Sequence, residues 1–276
     1  MYYVKGLRVG FLLILLGLGG GAVERSWAQA VEVGSCQECH SREKEKKLRN
    51  PVPLWQKSIH AAHQVSCDGC HGGDPKAGAK EAAKLAKNGY LGKPEEEQIP
   101  DFCGQCHGTE RENFFKGPHG EALKEGEDAP VCTACHGSHR VRSPDLEKII
   151  TEEACSDCHE FPDSQKIKDS LIRINGRLRK AELLLGEVWR KGMDVDPMRR
   201  ELQSVKEEVE KLAHEMAVNR TVQQEPQLAS AIEKAMGNLS RLDREADRRR
   251  LAGAVSIGFL LVGLIVAIGY RRTLHS

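Results

Sequence analysis

The sequence predicts a mainly α protein in three parts. A cysteine- and histidine-rich domain with little regular secondary structure comes first, then antiparallel helices, then one C-terminal transmembrane helix. Three observations predict this. Ten cysteines fall in five copies of one short pattern, all of them before residue 160. Three heptad-like apolar stripes follow. Last comes an uncharged run of 19 residues, LAGAVSIGFLLVGLIVAIG, over positions 251–269.

The repeated pattern is Cys-x-x-Cys-His. It occurs at Cys36/Cys39/His40, Cys67/Cys70/His71, Cys103/Cys106/His107, Cys132/Cys135/His136 and Cys155/Cys158/His159, and no cysteine is left over. Two thiols three residues apart sit on one helical turn and can form thioethers with both vinyl groups of one porphyrin. The histidine that follows then lies beneath the ring and gives its imidazole to the iron. The expected cofactors are therefore five covalently bound c-type haems. Zinc sites and thioredoxin-like pairs are the alternatives. A zinc knuckle does not require histidine after every second cysteine, however, and a redox pair does not recur five times.

Residues 1–30 read as a secretory signal peptide. Lys5 and Arg8 precede the apolar run VGFLLILLGLGGGAV, and Ala28-Gln29-Ala30 offers a small-x-small cleavage site. An uncleaved N-terminal anchor is the alternative. Either way the motifs are exported, which places the domain of residues 31–160 in the periplasm of a bacterial cell or an equivalent compartment. Ten cysteines in an exported chain could instead make five disulfides, but the regular histidines argue for haem.

Within 31–160 the first cysteines of successive motifs are 31, 36, 29 and 23 residues apart. Five haems in so short a segment would form much of its core, leaving room for short helices and turns. The alanine- and lysine-rich stretch 76–88 reads as a local helix, a solvated spacer between motifs. This domain carries 17 Lys+Arg against 23 Asp+Glu, whereas residues 161–250 carry 19 against 16. Nothing in these balances points to nucleic acid; they bear on docking surfaces.

From 161 to 250 the chain reads as a three-helix bundle or stalk. Its stripes are Leu171, Ile174, Leu178, Ala181, Leu185 and Val188; then Leu202, Val205, Val209, Leu212 and Met216; then Leu228, Ile232, Ala235, Leu239, Leu242 and Ala246. Gly192 and Asp194–Pro197 separate the first two helices. Glu225-Pro226 is expected to separate the second from the third. The short connections favour antiparallel packing, within the chain or against a partner, so a larger complex or a homo-oligomer through this region is allowed. The third helix is expected to run on as one rod into the transmembrane helix at 251–270. At ~1.5 Å per residue the uncharged run covers about 28 Å, enough for the hydrocarbon core. The arginines on both flanks leave orientation to the signal peptide, which puts residues 271–276 in the cytoplasm.

Six histidines lie outside the motifs: His60, His63, His119, His139, His214 and His275. His275 falls in the cytoplasmic tail, leaving five candidates for five distal iron positions. His60 and His63 would share a helical face, and both cannot serve the haem of Cys67 and Cys70. At least one must reach another haem. His139 is too close to His136 to wrap round to the same iron and should serve a neighbour. His119 sits in Gly117-Pro118-His119-Gly120, which reads as a turn-like loop. His214 points away from its helix's apolar stripe. If it ligates, it clamps the helices onto the haem domain, and the fifth haem is the expected place.

The motifs, together with SIHAAHQVSCDGCHGG, CTACHGSHRV and the single anchor, resemble bacterial multihaem c-type cytochromes. The broad groups are the class III and NapC/NrfH-like electron-transfer cytochromes, and the resemblance covers about residues 34–160. In such proteins a histidine shortly before or after a motif often ligates a distal iron, which supports His60, His119 and His139. The trailing helices are similar to those ending hydroxylamine-oxidoreductase-like cytochromes, which supports His214. The resemblance implies a membrane-anchored pentahaem electron carrier between a quinol-oxidising membrane partner and an exported, periplasmic acceptor. NapC/NrfH-like proteins usually carry an N-terminal anchor, so the C-terminal one here weakens any expectation of direct quinol oxidation. The competing readings are a multihaem oxidoreductase with one open haem, acting on nitrite, hydroxylamine, hydrazine or a sulfur oxyanion, and a haem subunit of a larger respiratory complex.

Overall fold

The computed structural model describes residues 34–142 and 144–274. The signal-peptide reading of residues 1–30 and the placement of His275 lie outside the described residues. Within them the chain is helical, with no β-strand.

The first part is a series of short helices: α1 (Ser35–Ser41), α2 (Lys46–Arg49), α3 (Pro51–Trp55), α4 (Ile59–Ala62), α5 (Cys67–His71), α6 (Lys80–Ala83), α7 (Ile99–Gly104), α8 (Gly108–Phe114), α9 (Pro118–Lys124), α10 (Cys132–His136), α11 (Leu146–Ile149) and α12 (Glu152–Cys155). Few apolar side chains in this part are buried; they include Val52, Trp55, Ala61, Ala129, Val131 and Ile150. The expected helix over 76–88 does not form as one piece. It is the four-residue α6 and a 3₁₀ turn, Ala86–Asn88, stopped by Gly89 at φ +74°. An alanine- and lysine-rich segment this short lacks the length to pass helix nucleation without a packed face.

Three long helices follow. The 30-residue α13 (Phe161–Arg190) is about 45 Å long. Pro162 in its first turn loses no hydrogen bond there, and its buried face runs from Ile167 through Leu171, Ile174, Leu178 and Ala181 to Val188. After a turn at Gly192, α14 (Asp196–Glu215) comes back on Met198, Leu202, Val205, Val209 and Leu212. The last helix, α15 (Val218–Leu274), has 57 residues and buries Thr221, Ile232, Ala235, Leu239 and Ala246 against the other two. Each fully buried Leu or Ile contributes about 1.5–3 kcal/mol, so these stripes hold the bundle.

The break between the second and third helices is not at Glu225-Pro226. It falls at Met216, which takes the left-handed conformation at φ +50°, and Pro226 lies inside α15. Proline inside a helix costs about 3 kcal/mol. Packing of α15 on both neighbours offsets that cost, as does Glu225, which receives Nε and Nη2 of Arg173 at 2.6 and 2.7 Å.

Helices α13 and α15 run in the same direction and are laced together along their length. Arg173 meets Glu225, Arg177 meets Glu233, and Lys191 meets Asp243 at 2.8 Å and Asp247 at 2.7 Å. The last contact sets the turn after α13 about four residues, roughly 6 Å, above Leu251. Below it, the most apolar 18-residue window of α15 has a mean hydropathy of 2.6 and is 0% buried. This is the one helix among the described residues long and apolar enough to cross a membrane, and it continues the stalk without a break. The cysteine-rich part therefore sits at the far end of a pillar about 45 Å tall.

Candidate cofactor-binding sites

Each motif begins on a helical turn, which turns its two cysteines to one side. Motifs one, two and four lie wholly in α1, α5 and α10. Motifs three and five start in the last turn of α7 and α12 and finish in the turn beyond. The α5 helix ends at Gly72, φ +66°, where a Cβ would lie 1.9 Å from the carbonyl oxygen of Gly89; only glycine fits. That close approach folds the following segment back over the motif. The N–H of Leu91 donates to the His71 carbonyl at 2.8 Å, and His71 Nδ1 donates to the Gly92 carbonyl at 2.8 Å.

Four motif histidines each face one histidine from outside the motifs. His107 faces His60 with ring centroids 6.1 Å apart, and His71 faces His139 at 6.1 Å. His159 faces His119 at 6.4 Å, and His136 faces His214 at 6.3 Å. Three of the pairs are within 20° of parallel; His60 and His107 are tilted by 42°. Two metal–imidazole bonds of about 2 Å, plus about 1.1 Å from each nitrogen to its ring centre, come to roughly 6.2 Å. Each pair thus leaves room for one metal ion between its two imidazoles.

Backbone carbonyls fix the ring orientation at several of these histidines. Nδ1 donates to the Leu48 carbonyl at 2.9 Å in His40, to Gly92 in His71, to Glu160 at 3.2 Å in His159 and to Glu210 at 2.7 Å in His214. A carbonyl can only accept, so Nδ1 carries the proton and Nε2 keeps its lone pair for a metal. Burial lowers the pKa of His60, His119, His136 and His139 below the ordinary imidazole value, and the facing imidazole lowers it further. The lowering favours the neutral form, the one that can ligate a metal.

The histidines outside the motifs are placed by local devices. For His60, Ser58 caps α4 by accepting from the Ala61 N–H at 3.1 Å, and Trp55 Nε1 donates to the Val65 carbonyl at 2.9 Å across the base of the loop. The N–H of Ile59 donates to the Val141 carbonyl at 2.9 Å, tying α4 to the segment after His139. His119 is not in a loop: Pro118 starts α9, and His119 is in its first turn. Proline pre-sets a helical φ at that position, which is why Gly-Pro-His-Gly opens a helix here.

His214 reaches the motifs because α14 packs on α8 and α9. Gly117 passes so close to the end of α14 that a Cβ there would lie 1.9 Å from the Glu215 carbonyl oxygen. His214 faces the fourth motif and not the fifth, and the fifth faces His119. The sequence places His214 off the core stripe but does not say which motif lies beside it. His63, at the end of α4, is exposed, and among the described residues neither it nor His40 forms a ring pair like the four above.

The five motifs follow one another in space as they do in the chain. Burial, and next the proximity of Cys36, push Cys67 up to about 11. Cys70 is raised by burial and then by Cys103 and Cys106, and Cys135 by burial and then by Cys155. Cys103 and Cys132 lie within hydrogen-bonding reach, which raises Cys103. None of the ten cysteines is in a disulfide. Beside the fifth motif lies an open depression of about 520 Å³ lined by Glu152, Asp157, Cys158, His159, Glu160 and Phe161, among others.

Among the described residues no three His, Cys, Asp or Glu side chains converge as a metal-ion site. Zinc would call for three or four such ligands. Paired imidazoles beside paired thiols fit a metal carried in a macrocycle that supplies its other ligands, so the residues present fit haem. No family model, curated protein or solved structure matches the chain.

Proposed function

We propose that this protein is a membrane-anchored, exported pentahaem cytochrome c that relays electrons between a quinol-oxidising membrane partner and exported redox partners. The observation that carries the reading is the set of four imidazole pairs at 6.1–6.4 Å, each joining a motif histidine to one from elsewhere in the chain. Bound haem supplies one-electron chemistry. The chain's own part is to hold it. The ten motif cysteines are the attachment points, and His40, His71, His107, His136 and His159 are the proximal ligands.

His139 then serves the second site, His60 the third, His214 the fourth and His119 the fifth. His63 and His40 remain, and we assign them to each other. This answers why two histidines precede the second motif so closely: neither is assigned to that motif's own site. With two imidazoles assigned to each site, a bound iron would keep no position for a substrate, which favours a relay over a catalyst. The stalk keeps the motifs about 45 Å from the bilayer, so the quinol-oxidising partner has to be a protein that reaches that height.

The test is a haem count and a spin-state count on the full chain, expressed with covalent haem maturation. Pyridine haemochrome and intact mass should give five haems, and low-temperature EPR with magnetic circular dichroism should give five low-spin centres. A protein that binds zinc, or carries no covalent haem, ends this reading. A stoichiometric high-spin centre that binds nitrite or hydroxylamine would replace the relay with an enzyme.

A further inference from the structure

The acidic balance of the cysteine-rich domain hides two halves of opposite sign. Residues 34–93, with the first two motifs, carry 11 Lys+Arg against 6 Asp+Glu; residues 94–160, with the other three, carry 6 against 16. The first half's charge gathers around the first motif. Burial and then Asp68 raise the Cys36 thiol, while Lys84 lies close enough to act against them, and Ser35 N–H donates to the Pro75 carbonyl at 2.9 Å, next to Lys76. On the other side His40 is bonded to the Leu48 carbonyl, between Lys47 and Arg49. Two lysine-rich segments, 42–49 and 76–87, thus flank one site. Lys44, Lys46, Lys47, Lys76, Lys80 and Lys87 are exposed, and none of them is in an ion pair among the described residues.

A second observation falls on the same half. Leu54, Leu85 and Leu91 are exposed large hydrophobic residues, and every other one among the described residues belongs to the long helices α13 and α15. Exposed leucines set among unpaired lysines have the composition of a transient docking face, with apolar contacts inside and a charged rim. The stalk packs elsewhere: α14 on α8 and α9, α13 on α11 and α12. Lipid is not the counterpart, since the face lies on the part carried at the far end of the pillar.

We propose that the end of the protein around Cys36, Cys39 and His40 is the docking face for an acidic electron-transfer protein. The proposal rests on the relay reading for its purpose, and on the charge and exposure above for its place. Long-range attraction would raise the encounter rate and orient the partner on the first site, and it would weaken with salt.

The full-length protein in detergent micelles, measured against an immobilised flavodoxin as a small acidic electron-transfer probe, tests it. Binding should appear at low ionic strength and weaken at least tenfold at high salt. K44E/K46E/K47E should weaken it at least tenfold, and L85S/L91S should also lower it. R179E/K180E/K206E, an equal charge change on the exposed stalk, should leave it within twofold. If the lysine reversal perturbs folding, K44Q/K46Q/K47Q serves, with a smaller loss in the same direction. No binding by the unaltered protein at low salt, or equal loss in the stalk variant, overturns the proposal. Haem content is measured on the same samples. A chain without haem ends the relay while leaving the binding result to judge the face by itself.

Discussion

His136 and His214 face each other with ring centroids 6.3 Å apart and planes 20° from parallel, one on the fourth motif and the other on the returning helix of the stalk. No other of the four histidine pairs joins the cysteine-rich domain to the long helices. It couples the position of the bundle to the chemistry of one site.

If the proposed five haems are bound, replacing His214 with alanine should therefore alter one of them. EPR of the oxidised protein should show one centre passing from low to high spin, with the other four unchanged. Five unaltered low-spin centres would remove His214 from the site. His119→Ala should do the same at the fifth site, and the double variant should show two altered centres, because the pairs are separate.

The contact that seats His214 can be tested apart from any cofactor. Gly117→Ala puts a Cβ against the Glu215 backbone, so either the α9 end or the α14 end must shift. Overpacking of this kind costs about 1–3 kcal/mol, read as a lower melting temperature. Gly108→Ala, where a Cβ meets nothing within 4 Å, is the control and should melt as the parent does.

Pro226 lies within α15, where it removes one backbone hydrogen bond. Pro226→Ala should raise the stability of the bundle by about 1–3 kcal/mol. Thermal unfolding followed by circular dichroism decides this, and a lower midpoint would mean that the packing requires a bend at that residue.

Stability should also depend on pH through the pair of Arg173 and Glu225. The hydrogen bond from Arg173 holds the Glu225 carboxyl below its usual value of 4.5. A lowered carboxylate pKa contributes stability that is fully present above the unfolded value and is lost as pH falls through the folded one. Arg173 is half exposed, so the effect is less than about 1 kcal/mol. The melting temperature of Glu225→Gln should fall below that of the parent at pH 7 and converge with it towards pH 3. A constant gap across that range would contradict the assignment.

Ending the chain after Arg250 removes the apolar part of α15 and leaves every buried stripe intact. The shortened protein should stay in solution without detergent, while the full chain should remain with membranes after alkaline carbonate washing. Equal partitioning of the two would refute the anchor.

Much of the architecture is legible in the residues because it is local or periodic. Five Cys-x-x-Cys-His motifs fit on single helical turns, the apolar stripes of α13, α14 and α15 repeat every three or four residues, and the 19-residue uncharged run has the length of a bilayer core. Three local readings fail for physical reasons. The alanine- and lysine-rich stretch 76–88 looks like one helix, but without a packed face it forms only α6 and a 3₁₀ turn. Pro226 looks like a helix break, but packing against α13 holds the helix through it and the turn moves to Met216. Gly-Pro-His-Gly looks like a turn, but proline in a first helical position starts α9 and places His119 on it.

The sequence by itself determines which cysteines and histidines form each motif, how many lone histidines remain to face them, and where the stretch apolar enough to cross a membrane lies. Only the tertiary structure decides which lone histidine faces which motif. Those pairings join residues far apart in the chain, and they depend on where α4, α9 and α14 come to rest. A periodic pattern says which side of a helix is buried. It does not say what lies against the other side, and that neighbour gives His214 to the fourth site and His119 to the fifth.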